Sequence, residues 1–258
     1  MKKSLLSLLF FCICSLSFTQ SKKVYVRETG LDTEPANGTL EAPFKTVNRA
    51  LLSCAAAGDT IDLLGAINAE VSGSYNNAIA INAKSVTIIG HGQDNSFIQP
   101  APTKELSTNR VFSLSNGAKL IMKDLTVRWG TTSGTNGVGG NITVWQSGLE
   151  LENVTITGGY AQKGGAIAIN GSNGDTIMLK DCNISNNQST TYGAGIYTGS
   201  TSTQGTNMEI HTTLISNNKL LNSTATGAGI YIDGYPNSVN PCNYAIYNST
   251  IAFNETPY

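Results

Sequence analysis

The sequence predicts an all-β chain wound into a parallel β-helix, a solenoid with three strands per coil and a short N-terminal capping helix. Three observations point there. One short frame returns five times between Leu120 and Ile251, apolar residues alternate with polar ones inside every copy, and glycines stand at a fixed place between copies.

The frame begins at Leu120, Leu149, Ile177, Met208 and Tyr244, with successive offsets of 29, 28, 31 and 36 residues. Each copy has two inward apolar residues in alternation, then a two-residue interruption, then two more inward positions. The second residue of the interruption is Asp124, Asn153, Asp181, Thr212 or Asn248. A period of two is the strand signature, because successive side chains point to opposite faces. Repeats that each bury one face must stack to bury it. A third strand completes each turn: Phe112/Leu114, Ile142/Val144, Ile167/Ile169, Ile196/Thr198 and Ile230/Ile232 alternate in the same way.

Gly139-Gly140, Gly164-Gly165, Gly193-Ala194-Gly195 and Gly227-Ala228-Gly229 stand just before this third strand. A chain re-entering the coil there needs positive φ or close backbone approach, and glycine supplies both. Asp or Asn at 124, 153, 181 and 248 reads as a turn residue. It tolerates a left-handed backbone and can hydrogen-bond its neighbours along the stack.

Gly164-Gly-Ala-Ile167, taken with Ile184-Ser-Asn-Asn187 and Ile215-Ser-Asn-Asn218, resembles the paired motifs of polymorphic outer-membrane-protein repeats over residues 139–254. The architecture resembles the pectate-lyase-like right-handed parallel β-helix superfamily over residues 24–258. The resemblance implies a right-handed winding and an exported protein that works at a surface or on polysaccharide.

From the N-terminus, Met1-Lys-Lys and the apolar run Leu5 to Phe18, with small residues Ser17 and Thr19, read as a secretory signal over 1–19. The run is too short to span a bilayer. Cys12 and Cys14 within it lack the small residue before them that a lipoprotein anchor requires. Cleavage after Thr19 removes Lys2 and Lys3 and leaves 14 positive against 17 negative charges, a net of −3. Such a chain carries no basic stripe for phosphates and no polybasic face for lipid, so nucleic acid and membrane insertion are not expected. Cys54, Cys182 and Cys242 remain, an odd count with no metal-ligand spacing; neither a metal nor another cofactor is expected.

Residues 20–60 read as a capping region and 61–258 as the β-helix. Phe44, Val47, Leu51 and Cys54 follow helical spacing and Gly58 sits where such a helix would end. The phrases Tyr25 to Asp32 and Gly38 to Val47 resemble the opening of many secreted β-helix proteins, some polysaccharide lyases among them. A short helix here would close the first coil and bury Cys54. Ile61/Leu63, Ile79/Ile81, Val86/Ile88 and Phe97 with Ile98 mark irregular early coils. His91, with no obvious Ser, Cys or acid partner in the sequence, and His211, on an outward position next to the turn, both read as ordinary surface residues. The final rung, ending seven residues after Ile251 with no polar cap, leads to the expectation of further coils downstream.

In such a scaffold the interior only holds the stack together, so function belongs to outward positions and loops. The loops after the third strand lengthen along the chain: 145–148, 170–176, 199–207 and 233–243. They predict a rising wall beside outward residues Thr143, Ala168, Tyr197 and Tyr231, all expected to face water. Trp145, Tyr197 and Tyr231, with Asp233 beside them, form the candidate carbohydrate-binding path, since sugar rings stack on aromatic faces. The favoured reading is a secreted or surface-exposed binding and adhesion module, located outside the cell, with polysaccharide or a cell-surface glycan as partner. The alternative is a polysaccharide lyase or glycoside hydrolase with its active site partly in the coils expected downstream, and a purely structural stalk is a third class that fits the same sequence. The enzyme reading requires paired carboxylates or a strong base, and the outward third strand offers one acid, Asp233.

Overall fold

The computed structural model describes residues 21–54, 58–69, 78–134, 137–199, 205–234 and 242–257. The segment read as an export signal lies outside them. The chain forms a parallel β-solenoid of about five turns, and its one described helix lies near the N-terminus.

Two faces of the solenoid share one twelve-stranded sheet. Its long column stacks β1 (Lys23–Arg27), β2 (Thr60–Asn68), β4 (Ser85–Ile89), β7 (Lys119–Arg128), β9 (Gly148–Thr157), β12 (Thr176–Lys180), β16 (Asn207–His211) and β20 (Asn243–Tyr247). Past a corner, β5 (Ser96–Gln99), β13 (Asn183–Ser185), β17 (Leu214–Ser216) and β21 (Thr250–Ala252) continue the stack with the second halves of β2, β7 and β9. A six-stranded sheet holds the third strands: β3 (Ile79–Asn82), β6 (Phe112–Ser115), β8 (Ile142–Trp145), β11 (Ile167–Asn170), β15 (Ile196–Gly199) and β19 (Ile230–Asp233).

Every pairing among these strands is parallel and the inward residues fall in columns. Ile67, Ile98, Val127, Ile156, Ile184, Ile215 and Ile251 stand one above another, as do Ile142, Ile167, Ile196 and Ile230. Nearly all the inward residues from Val24 to Ile215 are sealed from solvent. Each such aliphatic side chain contributes about 1.5–3 kcal/mol over leaving it exposed.

The corner is where Asp124, Asn153, Asp181, Thr212 and Asn248 sit, each with φ between 47° and 55°. This agrees with the turn reading, and Thr212 adopts the same backbone although threonine is β-branched. Asn153 also donates to Asp124 Oδ1 at 2.7 Å, one rung away. At the next corner φ is positive at Trp129, Gly158, Asn186, Asn217 and Phe253. The asparagines that follow turn inward: Asn187 Nδ2 donates to Asn218 Oδ1 at 3.0 Å, and Asn218 Nδ2 to Asn254 Oδ1 at 2.9 Å. The other rungs have glycine there. Gly159 N–H donates to Asn187 Oδ1, and a Cβ on Gly159 would stand 2.1 Å from the Gly165 carbonyl oxygen and 2.5 Å from Asn141 Nδ2.

The glycines before the third strand divide the two expected roles between them. Gly164 has φ 67° and Gly193 has φ 55°. A Cβ on Gly165 would stand 2.3 Å from the Gln188 carbonyl oxygen of the next coil. Preceding these glycines is a short extra ladder that periodicity did not predict: β10 (Tyr160–Lys163), β14 (Gln188–Tyr192) and β18 (Lys219–Leu220). Its strands lack a regular inward apolar pair, so their sequence reads as loop.

The expected helix is present as α1 (Val47–Ser53). Thr46 caps it, accepting from Arg49 N–H at 3.1 Å, while Asp32 accepts from the Thr46 hydroxyl at 2.7 Å. Val47, Ala50, Leu51 and Cys54 pack into the same core as Val24 and Val26 of β1. The helix ends at Ser53, earlier than Gly58 suggested. Lys84 Nζ stops it there, donating to the carbonyls of Leu51, at 2.7 Å, and of Cys54. The thiols of Cys54, Cys182 and Cys242 are free. Burial pushes the Cys182 thiol up to about 11 and raises that of Cys54.

Candidate functional site

The third-strand sheet sets the candidate residues on two parallel columns. Thr143, Ala168, Tyr197 and Tyr231 form one; Trp145, Asn170, Gly199 and Asp233 form the other. Trp145, 48% exposed at the end of β8, therefore lies two rungs from Tyr197 and in a different column. The tyrosines come together: the rings of Tyr197 and Tyr231 stack at 6.0 Å with planes 5° apart.

The column does not face water as expected. Ala168 is fully covered, and Tyr197 and Thr143 are 5% and 6% exposed; Tyr231 is half-buried. The cover comes from the residue before each frame glycine. The left-handed glycine folds the chain back, so a Cβ on Gly164 would stand 2.8 Å from Ala168 Cβ. This lays Lys163, paired with Tyr192, over the outward strand. Lys163 Nζ stands 5.2 Å from the Tyr197 ring centre and 5.4 Å from that of Tyr192; Tyr192 meets Tyr231 at 4.5 Å.

The Tyr197 hydroxyl donates to Asp233 Oδ2 at 3.1 Å. Burial raises the Tyr197 phenol and the Asp233 carboxylate raises it further, so it is a neutral donor that orients the acid. Asp233 itself is exposed. The result is a three-tyrosine cluster with an ammonium on one side and a carboxylate on the other. Sequence reasoning missed Lys163 and Tyr192. Their signal is positional: Val138, Lys163, Tyr192 and Thr226 each precede a frame glycine and pair in sequence order. Much of the expected loop wall, residues 200–204 and 235–241, lies outside the described residues.

Two clusters lie on the long sheet's outer face. Near the N-terminus, Asp62 accepts from Lys23, Arg27 and His91 at 2.8, 2.7 and 2.8 Å. Burial alone would raise its carboxyl, but the hydrogen bonds from Lys23, His91 and Arg27 hold it down at about 2. His91 is therefore a partnered residue, contrary to expectation. Its partner is 29 residues away, on an earlier coil. His211 also has partners: Glu209 Oε2 at 3.1 Å, and the Tyr247 ring, stacked at 4.7 Å. Between these clusters Lys123, Glu152 and Lys180 alternate charge across successive rungs, at 2.6 and 2.7 Å.

Among the described residues no group of three or more His, Cys, Asp or Glu side chains could hold a metal ion, and no helix is long and apolar enough to cross a membrane. The chain matches no family model, no curated protein and no solved structure. The class defined by the fold is therefore the parallel β-solenoid itself, with an aromatic and charge-flanked ridge on its third sheet.

Proposed function

We propose that the chain is an exported binding module that engages carbohydrate at the cell surface or outside the cell. Its winding would be the right-handed one of the pectate-lyase-like superfamily. The observation that supports this reading is the Tyr192, Tyr231 and Tyr197 cluster flanked by Lys163 and Asp233. Aromatic faces take the apolar faces of sugar rings, and the flanking charges take hydroxyls through charge-assisted hydrogen bonds. Tyr231 offers contact, Tyr197 positions Asp233, and Trp145 supplies a separate exposed ring two rungs along.

The test is a glycan array probed with purified protein, followed by titration of the best ligand. Replacing both Tyr192 and Tyr231 with alanine is expected to weaken binding by about tenfold or more, as for loss of one anchoring stack. Undiminished binding by a folded double variant rules the site out.

A further inference from the structure

The geometry points to a second ligand site on the outer face of the long sheet, a notch over Ala245 that takes one neutral hexose ring. The outward column through this point reads Ile121, Glu150, Met178, Glu209 and Ala245. The first four side chains all reach well beyond a methyl group. Alanine at the fifth leaves a concavity of about 270 Å³, whose walls include Asn207, Glu209, Asn243 and Thr176 over a floor of Met208 and Tyr244.

The polar groups around it suit vicinal hydroxyls, which donate and accept at once. Asn243 Nδ2 donates to Asn207 Oδ1 at 2.9 Å, which locks the two amides together. That leaves Asn243 Oδ1 as an acceptor and Asn207 Nδ2 as a donor. Glu209 gives one carboxylate oxygen to His211. Among the described residues its second oxygen has no protein partner. Two residues along the same face as Ala245 stands Tyr247, its ring 51% exposed and held by the stack on His211. Amides and a carboxylate around a ring-sized hollow, with an exposed aromatic ring held two residues further along the strand, match a sugar. The carboxylate excludes uronic acids and phosphates by like-charge repulsion.

This site shares no residue with the tyrosine cluster of the third sheet, so the two readings fail separately. The experiment is saturation-transfer NMR on the purified protein with methyl α-glucoside, methyl β-galactoside and methyl α-mannoside as probes. At least one is expected to receive saturation. Ala245→Leu, which fills the notch, and Glu209→Ala, which removes the acceptor, are each expected to weaken its binding by about tenfold. Tyr231→Ala should leave it unchanged. No transfer to any of the three probes overturns the proposal, as does transfer that survives in Ala245→Leu with an unchanged far-ultraviolet circular dichroism spectrum.

Discussion

Asn187 and Asn218 sit one above the other inside the solenoid, fully buried, with the amide of the lower donating to the carbonyl of the upper at 3.0 Å. The same Asn187 side chain accepts from Gly159 N–H at 2.9 Å and donates to the carbonyls of Ile156 and Ser185. Asn187→Ala would strand those groups away from water, at about 1–3 kcal/mol for each left without a partner. Urea unfolding should show a loss at the upper end of that range or beyond. A loss below about 1 kcal/mol would mean that the ladder is ornamental.

Gly165→Ala is expected to be among the most damaging single changes. The new methyl would stand 2.3 Å from the Gln188 carbonyl oxygen and 2.6 Å from that of Ala194, both backbone atoms of the next coil. Rungs would have to separate, at about 3 kcal/mol or more. Gly234→Ala, where nothing lies within 4 Å, is the control and should be neutral. Equal melting temperatures for the two variants would contradict the close-approach argument.

Asp62 makes the fold acid-sensitive. Its folded carboxyl titrates at about 2 against an ordinary value of 3.8. The folded state therefore binds the proton more weakly than the unfolded chain does. The stabilisation is present above pH 4 and fades as pH falls from 4 towards 2. It amounts to about 2 kcal/mol by the linkage between pKa and free energy. Asp62→Asn should lose stability at neutral pH and show a flatter profile between pH 5 and 2. Parallel profiles for variant and wild type would remove Asp62 as the cause.

Thiol chemistry should report the burial of Cys54 and Cys182. Burial raises both Cys54 and Cys182, the latter to about 11, so neither is a thiolate near neutrality. Iodoacetamide at pH 8 should leave the peptides of both unmodified until denaturant is added. Rapid labelling of Cys182 in the native protein, read by mass spectrometry, would show that its rung opens.

The stack was legible in the sequence because its rule is repeated. Ile142, Ile167, Ile196 and Ile230 each occupy the same place after a glycine, and each alternates with residues of the opposite face. The corner residues were legible too, since Asp124 and Asn153 belong to the few types that accept a left-handed backbone. Lys163 and Tyr192 were not. Nothing in their own chemistry reports that a folded-back turn lays them over Ala168 and Tyr197. The pair Asp62 and His91 escaped because the early coils do not share the later frame, so no period joins the two positions. Trp145 and Tyr197 looked collinear because alternation gives the face of a residue but not its column.

The register from Leu120 to Tyr244 survives coils of 28 to 36 residues. Closure entropy grows so slowly with length that the longest coil costs only about 0.2 kcal/mol more than the shortest. Excursions can thus be lengthened, shortened or exchanged like books on a shelf whose uprights never move. A new binding specificity can be installed by rewriting a single excursion while the isoleucine columns stay as they are.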